Sequence, residues 1–243
     1  MSNHLLQVVS REQAREDQQL RIALVDSVTH ELRTPLTSIK ASVTALLTNS
    51  RLQPCQRKDL LMVINEEADR LNRLVGEAVE TAQLNQGVKL DLQPHAIEEI
   101  IDAARKECQT LLRQRSISVQ LPKGLPAARV DLKLAKKALM QLLENATKYS
   151  PAGEPITITA ELSGKFVKTS VVDRGSGIDD SEQPLIFKKF YRGRDHRNVV
   201  QGTGMGLPIA SAIIKAHGGS LYVTSKLGRG CIFSFTLPID KQL

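Results

Sequence analysis

A histidine in the run Thr29-His30-Glu31-Leu32-Arg33-Thr34-Pro35-Leu36 has a carboxylate beside it and a hydroxyl one turn further on. At about 100° of twist per residue, His30 lies about 200° around a helix from both Val28 and Leu32. A seam through those apolar residues turns His30 towards solvent. A neutral imidazole so placed can attack phosphorus through one nitrogen while the other sheds its proton. Glu31 is positioned to take that proton, and Thr34, on the same face, to hold a water near a phosphoryl group. Pro35 removes a backbone hydrogen bond and crowds the Glu31 carbonyl, which predicts a bend beside the reactive ring. By itself an exposed helix histidine is usually only a solvated side chain, so the other motifs must decide.

Two glycine-rich runs offer backbone chemistry. Asp173-Arg174-Gly175-Ser176-Gly177-Ile178 follows a strand pattern directly, and its glycines permit a sharp turn. Gly202-Thr203-Gly204-Met205-Gly206-Leu207 opens a helix, where free N–H groups and the helix dipole make a seat for phosphate. It lacks the Gly-Lys-Ser/Thr ending of a P-loop, and a long polar stretch, not a strand, precedes it.

The elements that must carry these groups fall into two kinds. Val28, Leu32, Leu36, Ile39, Val43 and Leu46 recur at spacings of three and four, as do Leu60, Ile64, Glu67, Leu71, Leu74 and Ala78 beyond a break at Thr48-Asn49-Ser50 and Pro54. This predicts a helical hairpin over residues 21–86. Two narrow stripes make too small a core for one copy, so two hairpins should pair into a four-helix bundle, making a homodimer. Residues 1–20, rich in Gln, Arg and Glu, read as a coiled-coil connector entering that bundle.

From Gln86-Gly87 onward the pattern alternates, and residues 87–243 form the second domain. Strands are predicted near Leu90–Leu92, Ile117–Gln120, Ala128–Val130, Ile156–Leu162 and Phe166–Val172. Helices are predicted at Ile97–Arg113, Leu132–Tyr149 and Leu207–His217, with a closing hairpin at Ser220–Thr224 and Cys231–Leu237. The polar stretch from about 174 to 206 is too long for an ordinary connection and reads as a lid. The fold class is therefore multi-domain: the helical hairpin, then an α/β sandwich.

The net charge of +7 is scattered except for Lys188, Lys189, Arg192, Arg194 and Arg197 in the lid. No basic stripe alternates with stacking aromatics, which argues against nucleic acid and for a phosphate-bearing ligand. Three isolated cysteines, Cys55, Cys108 and Cys231, read as reduced thiols in a cytosolic protein. No apolar run approaches the length of a membrane span, so this stretch is expected to be cytoplasmic, whether the full-length protein is membrane-anchored or soluble. The other histidines, His4, His95, His196 and His217, have no metal-ligand partner at suitable spacing, and His217 reads as a helix stop before Gly218-Gly219.

Five motifs in order, spanning about residues 20–238, together resemble the catalytic core of the bacterial sensor histidine kinases. Val28 to Ser42 resembles the H-box, which implies that His30 is the phosphoacceptor, Glu31 its base and Thr34 the residue that positions water for dephosphorylating a partner. Gln141-Leu142-Leu143-Glu144-Asn145-Ala146-Thr147-Lys148-Tyr149-Ser150 is similar to the N-box, implying Asn145 on Mg²⁺, Lys148 on phosphate and Tyr149 near the nucleotide. The run from Asp173 to Ile178 is similar to the first glycine box, in which the aspartate accepts from the adenine amino group, with Gly175, Gly177 and Ile178 around it. Phe187-Lys188-Lys189-Phe190-Tyr191-Arg192 resembles the F-box, with Arg192 facing phosphate. Gly202, Thr203, Gly204, Met205, Gly206 and Leu207 match the second glycine box.

The resemblance implies a dimeric phosphotransfer hairpin followed by an ATP-binding sandwich of the histidine-kinase and gyrase type. It implies ATP and Mg²⁺ as cofactors, autophosphorylation of His30, and transfer to an aspartate of a response-regulator receiver domain. Gln141 departs from the family's usual Asn. Unable to act as a base, it disfavours hydrolysis, though it can still hydrogen-bond around the metal. A phosphatase-dominant protein and a nucleotide-binding scaffold are the alternatives.

Overall fold

The computed structural model describes residues 29, 32–85, 89–113, 115–193 and 203–240. The chain divides into two compact units, Met1–Glu77 and Ala78–Leu243, and the division falls within a helix. The connector at 1–20, the boundary at Gln86-Gly87, and Val28, His30, Glu31 and Gly202 lie outside the described residues.

In the first unit, helix α1 covers 32–48 and helix α2 begins at Pro54 and continues to Asn85. Pro54 at the first helical position loses no intrahelical bond, and the Gln56 side chain accepts from the Gln53 N–H at 3.0 Å, half of a capping box. Along α1, Leu36, Val43 and Leu47 fall within about 40° of one another, and all three are exposed, Leu36 at 59% and Leu47 at 80%. An apolar stripe this open is a surface that helix pairing would bury.

The second unit is a two-layer α/β sandwich. Its elements are β1 (Gln93–His95), α3 (Ile97–Glu107), α4 (Gln109–Leu112), β2 (Ile117–Gln120), β3 (Ala128–Val130), α5 (Leu132–Tyr149), β4 (Ile156–Ser163), β5 (Phe166–Val172), α6 (Gly206–Ala216), β6 (Leu221–Ser225) and β7 (Cys231–Pro238). The main sheet runs β2-β4-β5-β7-β6, with β2 and β4 parallel and the other pairs antiparallel; β1 and β3 form a separate antiparallel ribbon.

Period-two burial explains the layer. Ile156, Ile158 and Ala160, then Val167, Thr169 and Val171, then Cys231, Phe233, Phe235 and Leu237 turn to one side. They meet Ile97, Ile100, Ile101 and Ala104 of α3, Leu139, Leu142, Leu143 and Ala146 of α5, and Ile209, Ile213 and Ile214 of α6 in one core.

Two expectations shift. The first strand lies at Gln93–His95, three residues later than Leu90–Leu92, because the Asp91 N–H donates to Asp131 Oδ2 at 3.3 Å while Gln93 pairs with Val130. The helix expected over Ile97–Arg113 is broken at Cys108 into α3 and α4, although Cys108 and Leu112 keep to the buried side.

Candidate functional site

Helix α5 is the site's backbone. Asp131 caps it, Oδ1 accepting from the N–H groups of Lys133 at 3.1 Å and Leu134 at 3.2 Å. Leu139, Leu142, Leu143 and Ala146 anchor one side in the core. Gln141, Asn145 and Lys148 then share another face, within about 60° of each other. Lys148 Nζ stands 3.4 Å from Glu144 Oε2 on the adjoining line.

At one end α5 meets the Asp173 turn. Asp173 is 3% exposed, and its Oδ1 accepts from the N–H groups of Gly175 at 2.8 Å and Cys231 at 3.3 Å. Burial pushes its carboxyl above the ordinary range, and those two hydrogen bonds oppose the push. Both bonds use Oδ1, which leaves Oδ2 as the acceptor for a ligand. Gly175 passes so near α5 that a Cβ there would lie 2.6 Å from the Tyr149 carbonyl oxygen. Burial raises the Tyr149 hydroxyl pKa, while the charge of Arg192 lowers it, so the F-box arginine is felt at this end of α5. Ile178 is held from behind, its N–H donating to Ser225 Oγ at 2.9 Å.

The other end of this stretch of α5 meets the start of α6. A Cβ on Gly206 would lie 2.5 Å from Gln141 Oε1, so the two touch. Tyr149 and Gln141 are eight residues apart, about 12 Å along the axis. No side chain caps α6 among the described residues, while the Met205 N–H donates to Thr203 Oγ1 at 3.2 Å. The first-turn N–H groups of Gly206 and Leu207 are therefore available to an anion.

The described residues that follow the Asp173 turn are tied down. Gln183 Nε2 donates to the carbonyls of Ile178 and Ser225, and the Tyr191 hydroxyl donates to Glu182 Oε1 at 2.9 Å. Phe190 has φ 60° and its N–H donates to the Gly204 carbonyl at 3.0 Å; Gly204 itself has φ +68° and no room for a Cβ against the Phe190 backbone. Two left-handed residues, one not glycine, thus close the neck where lid and second glycine box meet.

The expected ATP-binding residues Asn145, Lys148, Tyr149, Asp173, Gly175, Gly177, Ile178, Arg192, Thr203, Gly204, Met205, Gly206 and Leu207 all belong to the second unit, with Gln141 among them. Thr34 lies exposed on α1 in the first unit. Sequence reasoning missed Ser225, Gln183 and Arg115, which lie outside the motifs and act only through tertiary contacts. No three His, Cys, Asp or Glu side chains gather to hold a metal among the described residues. Asn145 offers one amide oxygen, the hard donor suited to a Mg²⁺ that takes its other ligands from phosphate and water.

These features define a helical region followed along the chain by an α/β sandwich domain. Residues 20–87 match the His Kinase A (phospho-acceptor) domain, and residues 130–241 match the histidine kinase-, DNA gyrase B-, and HSP90-like ATPase family. The chain belongs to the sensor histidine kinases and carries both of these domains in one polypeptide. It is 30% identical over 96% of its length to the sensor protein KdpD of Clostridium acetobutylicum, and covers 27% of that protein. It therefore spans about a quarter of that relative. Among solved structures, full-length ShkA in complex with AMPPNP is 28% identical, with a TM-score of 0.65 over 91% of this chain and 46% of that one. The histidine kinase ThkA in complex with the response regulator TrrA shares the fold at 22% identity, with a TM-score of 0.73 over 93% of this chain and 64% of that one.

Proposed function

We propose that the chain autophosphorylates His30 from Mg-ATP and passes the phosphoryl group to an aspartate of a response regulator. The observation that carries this reading is the α5 face of Gln141, Asn145 and Lys148, bounded by buried Asp173 at one end and the uncapped start of α6 at the other. Asp173 Oδ2 accepts from the adenine amino group, Asn145 holds the metal, and Lys148 and Arg192 face the phosphates. The N–H groups of Gly206 and Leu207 seat phosphate oxygens. Bound Mg²⁺ neutralises charge on the phosphates. His30 Nε2 attacks the γ-phosphorus of ATP, the bond from that phosphorus to the β,γ-bridging oxygen breaks and ADP leaves, while Glu31 takes the Nδ1 proton. Such catalysis is mostly positioning and charge neutralisation.

The exposed stripe on α1 supports a homodimer built as a four-helix bundle, with residues 1–20 as its connector and 21–86 as the phosphotransfer hairpin. Residues 87–243 form the catalytic domain. No helix among the described residues is long and apolar enough to cross a membrane. We place this stretch in the cytoplasm.

The test is incubation with radiolabelled Mg-ATP. The wild type should acquire an acid-labile, base-stable label that is lost in both His30→Gln and Asn145→Ala. A label surviving His30→Gln would name another nucleophile. The same chain is proposed to dephosphorylate its regulator through Thr34: Thr34→Ala should keep autophosphorylation and lose regulator dephosphorylation.

A further inference from the structure

We propose that Arg115 is a positioning residue for nucleotide binding, a clamp that fixes the end of α5 against the Asp173 turn. The inference rests on the nucleotide reading of this domain and deepens it. Arg115 lies in no motif; it sits between α4 and β2, far in sequence from every residue assigned above.

The need for a clamp follows from Pro151. In a helix the carbonyl of Thr147 would accept from the N–H four residues later, but that residue is Pro151 and has none. Ser150 leaves the helix with φ −84° and ψ 142°, so its carbonyl also lacks a helical partner, while that of Pro151 accepts from the Glu154 N–H at 3.3 Å. Arg115 reaches all three. Its Nη2 donates to the Thr147 carbonyl at 2.7 Å and the Ser150 carbonyl at 2.9 Å, and its Nη1 donates to the Pro151 carbonyl. The guanidinium is a planar fork suited to several fixed acceptors, and its charge opposes the negative end of the α5 dipole.

The residues so held form the wall of the proposed adenine site. The Tyr149 carbonyl is the surface on which Gly175 packs, and Ser150 Oγ accepts from the Arg174 N–H at 3.1 Å. A shift of the α5 end would therefore carry the Asp173 turn with it. The clamp thus acts on the ligand through two intermediaries without touching it.

Isothermal titration of the full chain with MgADP tests the idea. Arg115→Met keeps the apolar stem and removes all donors; it should weaken MgADP binding about tenfold or more, since small misplacements at a binding site are costly. Arg115→Lys, with one compact cation, should recover part of that loss, and it is read in place of the methionine variant if the latter does not fold. Val167→Ala, buried in β5 about 20 Å along the strand from Asp173, supplies a matched loss of melting temperature and should bind MgADP as the wild type does. Binding within twofold of wild type in Arg115→Met would overturn the clamp, as would an equal loss of affinity in Val167→Ala. A wild type that binds no MgADP would overturn the nucleotide reading itself.

Discussion

Thr169 lies fully buried on the helix-facing side of β5, opposite Ala160 and Phe235, and its hydroxyl has no hydrogen-bond partner among the described residues. A hydroxyl removed from water without a partner costs about 1–3 kcal/mol. Thr169→Val keeps the shape and should raise the melting temperature by several degrees in a thermal scan; an unchanged or lower value would mean that the hydroxyl is satisfied. Asp173 makes a pH-dependent case. Its folded pKa lies above the ordinary 3.8, so the folded state keeps the proton at pH values where the unfolded chain has lost it. Stability present at low pH is then lost as pH rises through the folded value. Asp173→Asn, which does not titrate, should gain melting temperature relative to wild type as pH goes from about 3 to about 6, while losing nucleotide affinity. A difference that stays flat with pH would reject the assignment. The thiols give a third check. Burial pushes Cys108 and Cys231 up to about 11, whereas Cys55 is exposed. At pH 8 native protein should therefore incorporate one equivalent of iodoacetamide, and denatured protein three.

Among the elements, α5 and α6 depend on one junction. The imidazole of His217, buried just past α6, donates from Nδ1 to the Ile213 carbonyl at 2.7 Å, which leaves Nε2 to accept from the Asp131 N–H at 3.0 Å. Asp131 is the α5 cap and also receives the Asp91 N–H from the segment entering the domain. One histidine thus joins the end of the proposed phosphate helix to the start of the proposed metal helix. His217→Phe keeps the bulk but strands the part-buried Asp131 N–H, and should cost about 1–3 kcal/mol in urea unfolding; the Ile213 carbonyl keeps the backbone N–H of residue 217 at 3.2 Å. No loss of stability would show that water or backbone movement satisfies the Asp131 N–H.

For the whole molecule, the open stripe of Leu36, Val43 and Leu47 is the feature with the largest consequence. Burying such side chains contributes about 1.5–3 kcal/mol each, and a two-fold axis doubles every contact. Val43→Glu would place a carboxylate in the seam twice over. Sedimentation equilibrium should find the wild type as a dimer and the variant shifted towards monomer; a wild type that sediments as a monomer would remove the four-helix bundle from the reading.

Helix period from Leu36 to Leu46, strand alternation from Phe166 to Val172, and glycine placement at Gly175 and Gly206 are local properties of the chain. Such patterns follow from 3.6-residue and two-residue repeats and from the room a missing Cβ leaves, so the element types and the sandwich class of the second unit were legible without coordinates. What could not be read there depends on partners distant in sequence. The first strand moved to Gln93 because Asp131, forty residues on, captures the Asp91 N–H. His217 looked like a plain helix stop until Asp131, 86 residues earlier, was found against it. Arg115 gained its part because Pro151, having no N–H, left the Thr147 carbonyl open 32 residues away. A hydrogen bond between distant residues leaves no period in the sequence, because its geometry exists only once the layers have packed, and that is what tertiary structure alone decided.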